Sequence, residues 1–121
     1  MSQTFGPYTP VRKAGDTYYV SGQVGVRADK TASADVSGQT HEVLENMKRC
    51  LEEVGLTMDD VTKVTIYLTD MADFAAVNEV YQTYFEPPRP ARACVQVAGL
   101  PNVANTPLLV EMDAVAHKVS S

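Results

Sequence analysis

Apolar positions along the 121-residue chain recur with two different periods, and the changes of period divide it into elements. In PVRKAGDTYYVSGQVGV, residues 10–26, Tyr18, Val20 and Gly22 alternate with Tyr19, Ser21 and Gln23. That alternation predicts a strand, and Gly15-Asp16 before it suits a two-residue hairpin turn. Over residues 36–54 the spacing becomes helical, with Val36, Val43, Leu44, Met47, Cys50, Leu51 and Val54 on one stripe and Gly55 placed as the C-terminal cap. VTKVTIYLTD then alternates again, setting Val64, Ile66 and Leu68 against Lys63, Thr65 and Tyr67. A second helix is predicted from Asp73 as N-cap, with the stripe Phe74, Val77, Tyr81, Tyr84 and Phe85 and a stop at Pro87-Pro88. Two last strands, about 91–98 and 108–117, complete the order β-β-α-β-α-β-β.

This order predicts one α+β domain over residues 1–121, a single mixed sheet with both helices on one face. In the last two strands Ala93, Val95 and Val97 alternate with Arg92, Cys94 and Gln96, and Val110, Met112 and Ala114 with Glu111, Asp113 and Val115. One face is thus apolar enough for the helices. The other is semi-polar, which suits a subunit interface enclosing polar clefts, and a homo-oligomer is expected.

Composition narrows the chemistry. The net charge of −5 comes without a basic cluster, which argues against nucleic acid as a ligand. No run approaches the ~18 apolar residues of a membrane span. MSQTFGPYTP has neither a basic nor an apolar leader segment, so a cytoplasmic location is the default expectation. Cys50 and Cys94 form no C-x-x-C pair, and His41 and His117 lack a second ligand at useful spacing, so no metal site is expected.

Charges interrupting apolar strands are the remaining candidates. Arg92, in RPARACVQVAGLP, taken alone is more commonly a solvated rim arginine; the functional reading is a bidentate carboxylate clamp with room left by Ala91 and Ala93. Glu111, in LLVEMDAVA, fits a solvated carboxylate or a general acid/base, and Asp113 points the same way from the strand. Ser21 lies in no nucleophile elbow and has no histidine in a partner context. Gly22 permits close backbone approach, and Cys94 is more commonly a structural thiol than a nucleophile.

Taken together, GPYTP, YYVSGQVG, LENMKRCLEEVGLTMDDVTKVTIYLTDMADFAAVNEVYQTYF, PARACVQVAGLP and VEMDAVA resemble the Rid (YjgF-type) family across nearly the whole chain. The resemblance implies a chorismate-mutase-like α+β homotrimer with clefts between subunits, hydrolysing 2-imino acids or enamines to 2-keto acids and ammonium without a cofactor. It implies Arg92 as carboxylate clamp and Glu111 as the group handling water, with Tyr8, Ser21, Gly22, Asn78 and Cys94 lining the cleft. A non-catalytic 2-keto acid binder would keep Arg92 without needing Glu111. Three departures stand out: the lengthened 102–107 loop, Asp113 where relatives more often have Glu, and Arg89, more commonly a solvated loop arginine than a second anion contact.

Overall fold

The computed structural model describes residues 5–119. Strands β1 (Val11–Ala14) and β2 (Thr17–Val24) form the expected hairpin, and Gly15 takes φ 62° at its turn, where a Cβ would be strained. Helix α1 (Val36–Glu53) leads through a short 3-10 turn into β3 (Val61–Leu68). Helix α2 (Phe74–Tyr81), β4 (Ala91–Gln96) and β5 (Val110–His117) follow. The sheet order is β1-β2-β5-β3-β4. Only β3 and β4 run parallel, with α2 in their connection; β2 and β3 flank β5 antiparallel.

Both helices cover one face. Val43, Leu44, Met47 and Leu51 of α1 meet Val64, Ile66 and Leu68 of β3 and Val110, Met112 and Ala114 of β5 in one buried cluster. Helix α1 starts at Asp35, whose side chain accepts a hydrogen bond from the Gly38 N–H. It ends as predicted at Gly55, φ 80°. The Leu56 N–H reaches back to Leu51 O and the Gly55 N–H to Glu52 O, while Leu51 and Leu56 are both buried.

Several expectations shift. The second helix ends at Tyr81, before Pro87-Pro88; Tyr84 lies in the turn that follows and Phe85 just beyond it. Asp73 makes no capping hydrogen bond. Asp70 does, accepting from Ala72 N at 2.9 Å, because a 3-10 turn precedes the helix. In β2 the alternation breaks: the register with β5 slips between Val20 and Gln23, so Ser21 and Gly22 together oppose Asp113. That bulge moves Gly22 off the helix-covered face and puts Gln23 there instead.

The largest correction concerns β4. Arg92 and Cys94 pair with Val64 and Ile66, both fully buried beneath the helices. Arg92, Cys94 and Gln96 therefore face the helices, while Ala93 and Val95 lie on the open face with Thr65, Tyr67, Glu111 and Asp113. The cause is the edge position. β4 has short apolar side chains on both faces, Cys94 on one and Ala93 and Val95 on the other, so its face is set by pairing to β3.

Candidate functional site

The seven candidates assemble around two centres, Arg92 and Glu111, which lie on opposite faces of the sheet. The first is built on α2 and β4. Phe74, Asn78 and Tyr81 recur at i, i+4 and i+7, one helical face, and that face looks along β4. The Arg92 guanidinium lies 5.4 Å from the Phe74 ring centroid and 5.1 Å from that of Tyr81. One terminal nitrogen donates to Asn78 Oδ1 at 2.6 Å. Two aromatic faces and an amide hold the fork in place by cation–π attraction and a charge-assisted hydrogen bond. Neither contact neutralises it, and among the described residues Arg92 has no carboxylate partner. Ala91 and Ala93, expected beside it, point to the other face. Cys94 packs half-buried against the core two residues on; burial raises its thiol pKa, opposed by Arg92. A protonated thiol is a poor nucleophile.

The second group surrounds Glu111 at the centre of the sheet. A Cβ added to Gly22 would overlap Glu111 Oε2 and come within 3.0 Å of Cδ. The carboxylate thus occupies the space that the missing side chain leaves. Burial pushes the Glu111 pKa up, and the Asp113 charge on the same face adds to the shift. Asp113 itself accepts a hydrogen bond from Tyr67 at 2.8 Å, which raises the tyrosine's pKa. Ser21 is committed to structure: its Oγ donates to Thr9 O at 2.6 Å and its N–H to Pro10 O at 2.9 Å. These bonds tie down the segment carrying Tyr8. Tyr8 and Gly22 line one cavity of about 370 Å³ with Arg27 and, from α1, Glu42, Asn46 and Arg49; Glu111 is not among its lining residues.

Within one chain, therefore, Arg92, Asn78 and Cys94 come together, and Glu111 and Gly22 come together, with Ser21 next to Gly22 in β2 and Tyr8 meeting Gly22 in a cavity walled by α1, but the Arg92 and Glu111 sets stay apart. β4 and β5 are separated by β3, a spacing of about 10 Å, and Arg92 and Glu111 project to opposite faces. Phe74 and Tyr81 were legible only as core stripe; their spacing with Asn78 is the signal for their second role. The Tyr67–Asp113 pair gave no local signal, because it joins two strands.

The family model described as Endoribonuclease L-PSP matches residues 2–118. A RutC family protein of Pyrococcus horikoshii is 43% identical, over 93% of this chain and 88% of its own. The 3-aminoacrylate deaminase RutC of Acinetobacter baylyi is 41% identical, over 92% and 86%. A 2-iminobutanoate/2-iminopropanoate deaminase of Dermatophagoides farinae is 38% identical, over 84% and 81%. The crystal structure of RidA from a Psychrobacter species superposes with a TM-score of 0.89 at 36% identity, covering 96% of this chain and 92% of that one. Fold, motifs and identity along almost the full length agree, and the chain belongs to the Rid (YjgF-type) family.

Proposed function

We propose that this protein hydrolyses 2-imino acids, or their enamine tautomers, to 2-keto acids and ammonium, as a homotrimer in which the Arg92 group of one copy faces the Glu111 group of the next. The observation that carries this reading is the Arg92 guanidinium, held against two rings and, among the described residues, without a carboxylate partner. An oriented, uncompensated fork is a receptor for a planar anion. The deaminase names of two relatives at 38% and 41% identity supply the substrate class.

The chemistry asks little of the protein. An iminium carbon is already electrophilic, so the task is to hold the substrate and aim water. The substrate carboxylate takes the Arg92 donors not used by Asn78. Water adds to C2: the new C–O bond forms as the C=N π electrons move to nitrogen, and Glu111 accepts the proton released. Glu111 then returns that proton to the nitrogen. The C–N bond breaks, the hydroxyl becomes the keto oxygen, and its proton leaves with the nitrogen as ammonium. A carboxyl whose pKa is raised by burial holds a proton more readily than a solvated one, which suits this two-way role. Because the two groups lie on opposite faces of one sheet, a complete site calls for two copies. The family model's endoribonuclease description is less well served: a net charge of −5 opposes binding to a phosphate backbone.

The test generates 2-aminoacrylate or 2-iminobutanoate in situ with a dehydratase and follows imine loss. Wild type should accelerate it and Arg92→Ala should not. An imine lifetime unchanged by wild type, or equal rates for the variant, overturns the reading.

A further inference from the structure

Beside Arg92 lies a second arginine that the hydrolysis above does not use. Arg89 lines a cavity of about 320 Å³ with Asn78, Tyr81, Gln82, Pro90 and Arg92. That volume is within the range of small-molecule sites, roughly 300–1,000 Å³. We propose that Arg89 and the Tyr81 hydroxyl form a second anion subsite next to Arg92, which selects 2-imino acids whose side chain carries its own carboxylate. The proposal rests on the deaminase reading and deepens it.

Three observations converge. Arg89 donates from Nε to Phe85 O at 3.2 Å, which ties its stem to the main chain and leaves both terminal amino groups for a ligand. Among the described residues it forms no ion pair. Tyr81 is 4% exposed, and its hydroxyl has no hydrogen-bond partner among the described residues. Native proteins rarely leave a buried hydroxyl unpaired, and the residue that carries this one lines the cavity. Burial raises the phenol's pKa while Arg92 and then Arg89 pull it down, so both guanidiniums act on the same group.

The residues lining the cavity thus include two arginines and a tyrosine whose hydroxyl is unpaired among the described residues, and no carboxylate. A monocarboxylate satisfies Arg92 and leaves Arg89 and Tyr81 unserved. A four- or five-carbon dicarboxylate serves all three, and removes the repulsion between two neighbouring like charges.

Calorimetry with 2-oxoglutarate and 2-oxobutanoate tests the subsite as product binding, independently of turnover. Wild type should prefer the dicarboxylate by about tenfold or more, and Arg89→Gln should lower that preference by about tenfold, the scale of one charge-assisted contact. Tyr81→Phe should also lower the preference while raising Tm, since it deletes an unpaired buried hydroxyl; a purely structural hydroxyl would lower Tm instead. No preference in wild type, or a preference untouched by Arg89→Gln, overturns the subsite. A parallel assay uses imines that an amino-acid oxidase forms from glutamate and from 2-aminobutyrate. Turnover of the monocarboxylic imine without dicarboxylate preference sinks the subsite alone. An Arg89-dependent binding preference with no turnover of either imine sinks the deaminase reading alone.

Discussion

Gly22→Ala tests how closely the fold couples the β2 bulge to the chemistry. The added methyl would overlap Glu111 Oε2, with Cδ at 3.0 Å and Cγ at 3.4 Å. Restoring an ordinary separation of ~3.5 Å requires the carboxylate to retreat by about 1 Å. The obstructing atoms are the far end of a flexible side chain, and Gly22 is not in the left-handed region, so folding has a cheap escape. The stability loss should sit at or below the low end of overpacking penalties, about 1 kcal/mol. Activity has no such escape. A displacement of about 1 Å in a group that aims water costs about 100-fold in kcat. Imine hydrolysis in the dehydratase-coupled assay, with thermal melts on the same preparations, gives both quantities. On a Glu111→Gln background the glycine substitution should cost far less, because the group it displaces no longer handles the proton. Wild-type kcat in Gly22→Ala, or an undiminished loss on the Glu111→Gln background, would refute the coupling.

Three further outcomes are expected. Glu111 has a raised pKa in the folded chain, so the stability it contributes is present in full below the unfolded value near 4.5 and is lost as pH rises through the folded value. Glu111→Gln removes that loss: its Tm relative to wild type should climb with pH through that window and then level off, and a falling difference would contradict the assignment. Phe74→Leu removes one of the two rings on Arg92 and should raise KM about two- to fivefold, as a cation–π contact of 0.5–1 kcal/mol requires, with kcat little changed; an unaltered KM would remove Phe74 from the clamp. Tyr67→Phe takes the hydroxyl from Asp113 and should cost about 1 kcal/mol in urea unfolding; no change would mean that water replaces it freely.

The elements and their order were legible because each apolar stripe has to meet one core. Leu44, Met47 and Leu51 at helical spacing, and Val110, Met112 and Ala114 at strand spacing, leave little choice of face. The Gly15 turn and the Gly55 cap were legible because each needs a positive φ. The face of β4 was not. Ala93 and Val95 are as apolar as Cys94, and only the register with β3 turns Arg92 toward Phe74 and Tyr81. The bulge at Ser21-Gly22 was equally hidden, since an extra residue is defined by the partner strand and not by its own alternation. Asp70 and Asp73 both suit a cap, and the 3-10 turn between them decided which one works. Candidate residues could thus be named from sequence and resemblance, but their division into two groups on opposite faces required the sheet.

That division is the central claim, and subunit complementation tests it most directly. Arg92→Ala and Glu111→Gln chains, each inactive alone, are unfolded together in equal amounts and refolded. If each site takes Arg92 from one copy and Glu111 from its neighbour, random assembly leaves about a quarter of the sites with both residues intact, and activity should return to about a quarter of wild type. A refolded mixture as inactive as its parents would contradict the account, placing both residues of each working site in the same chain.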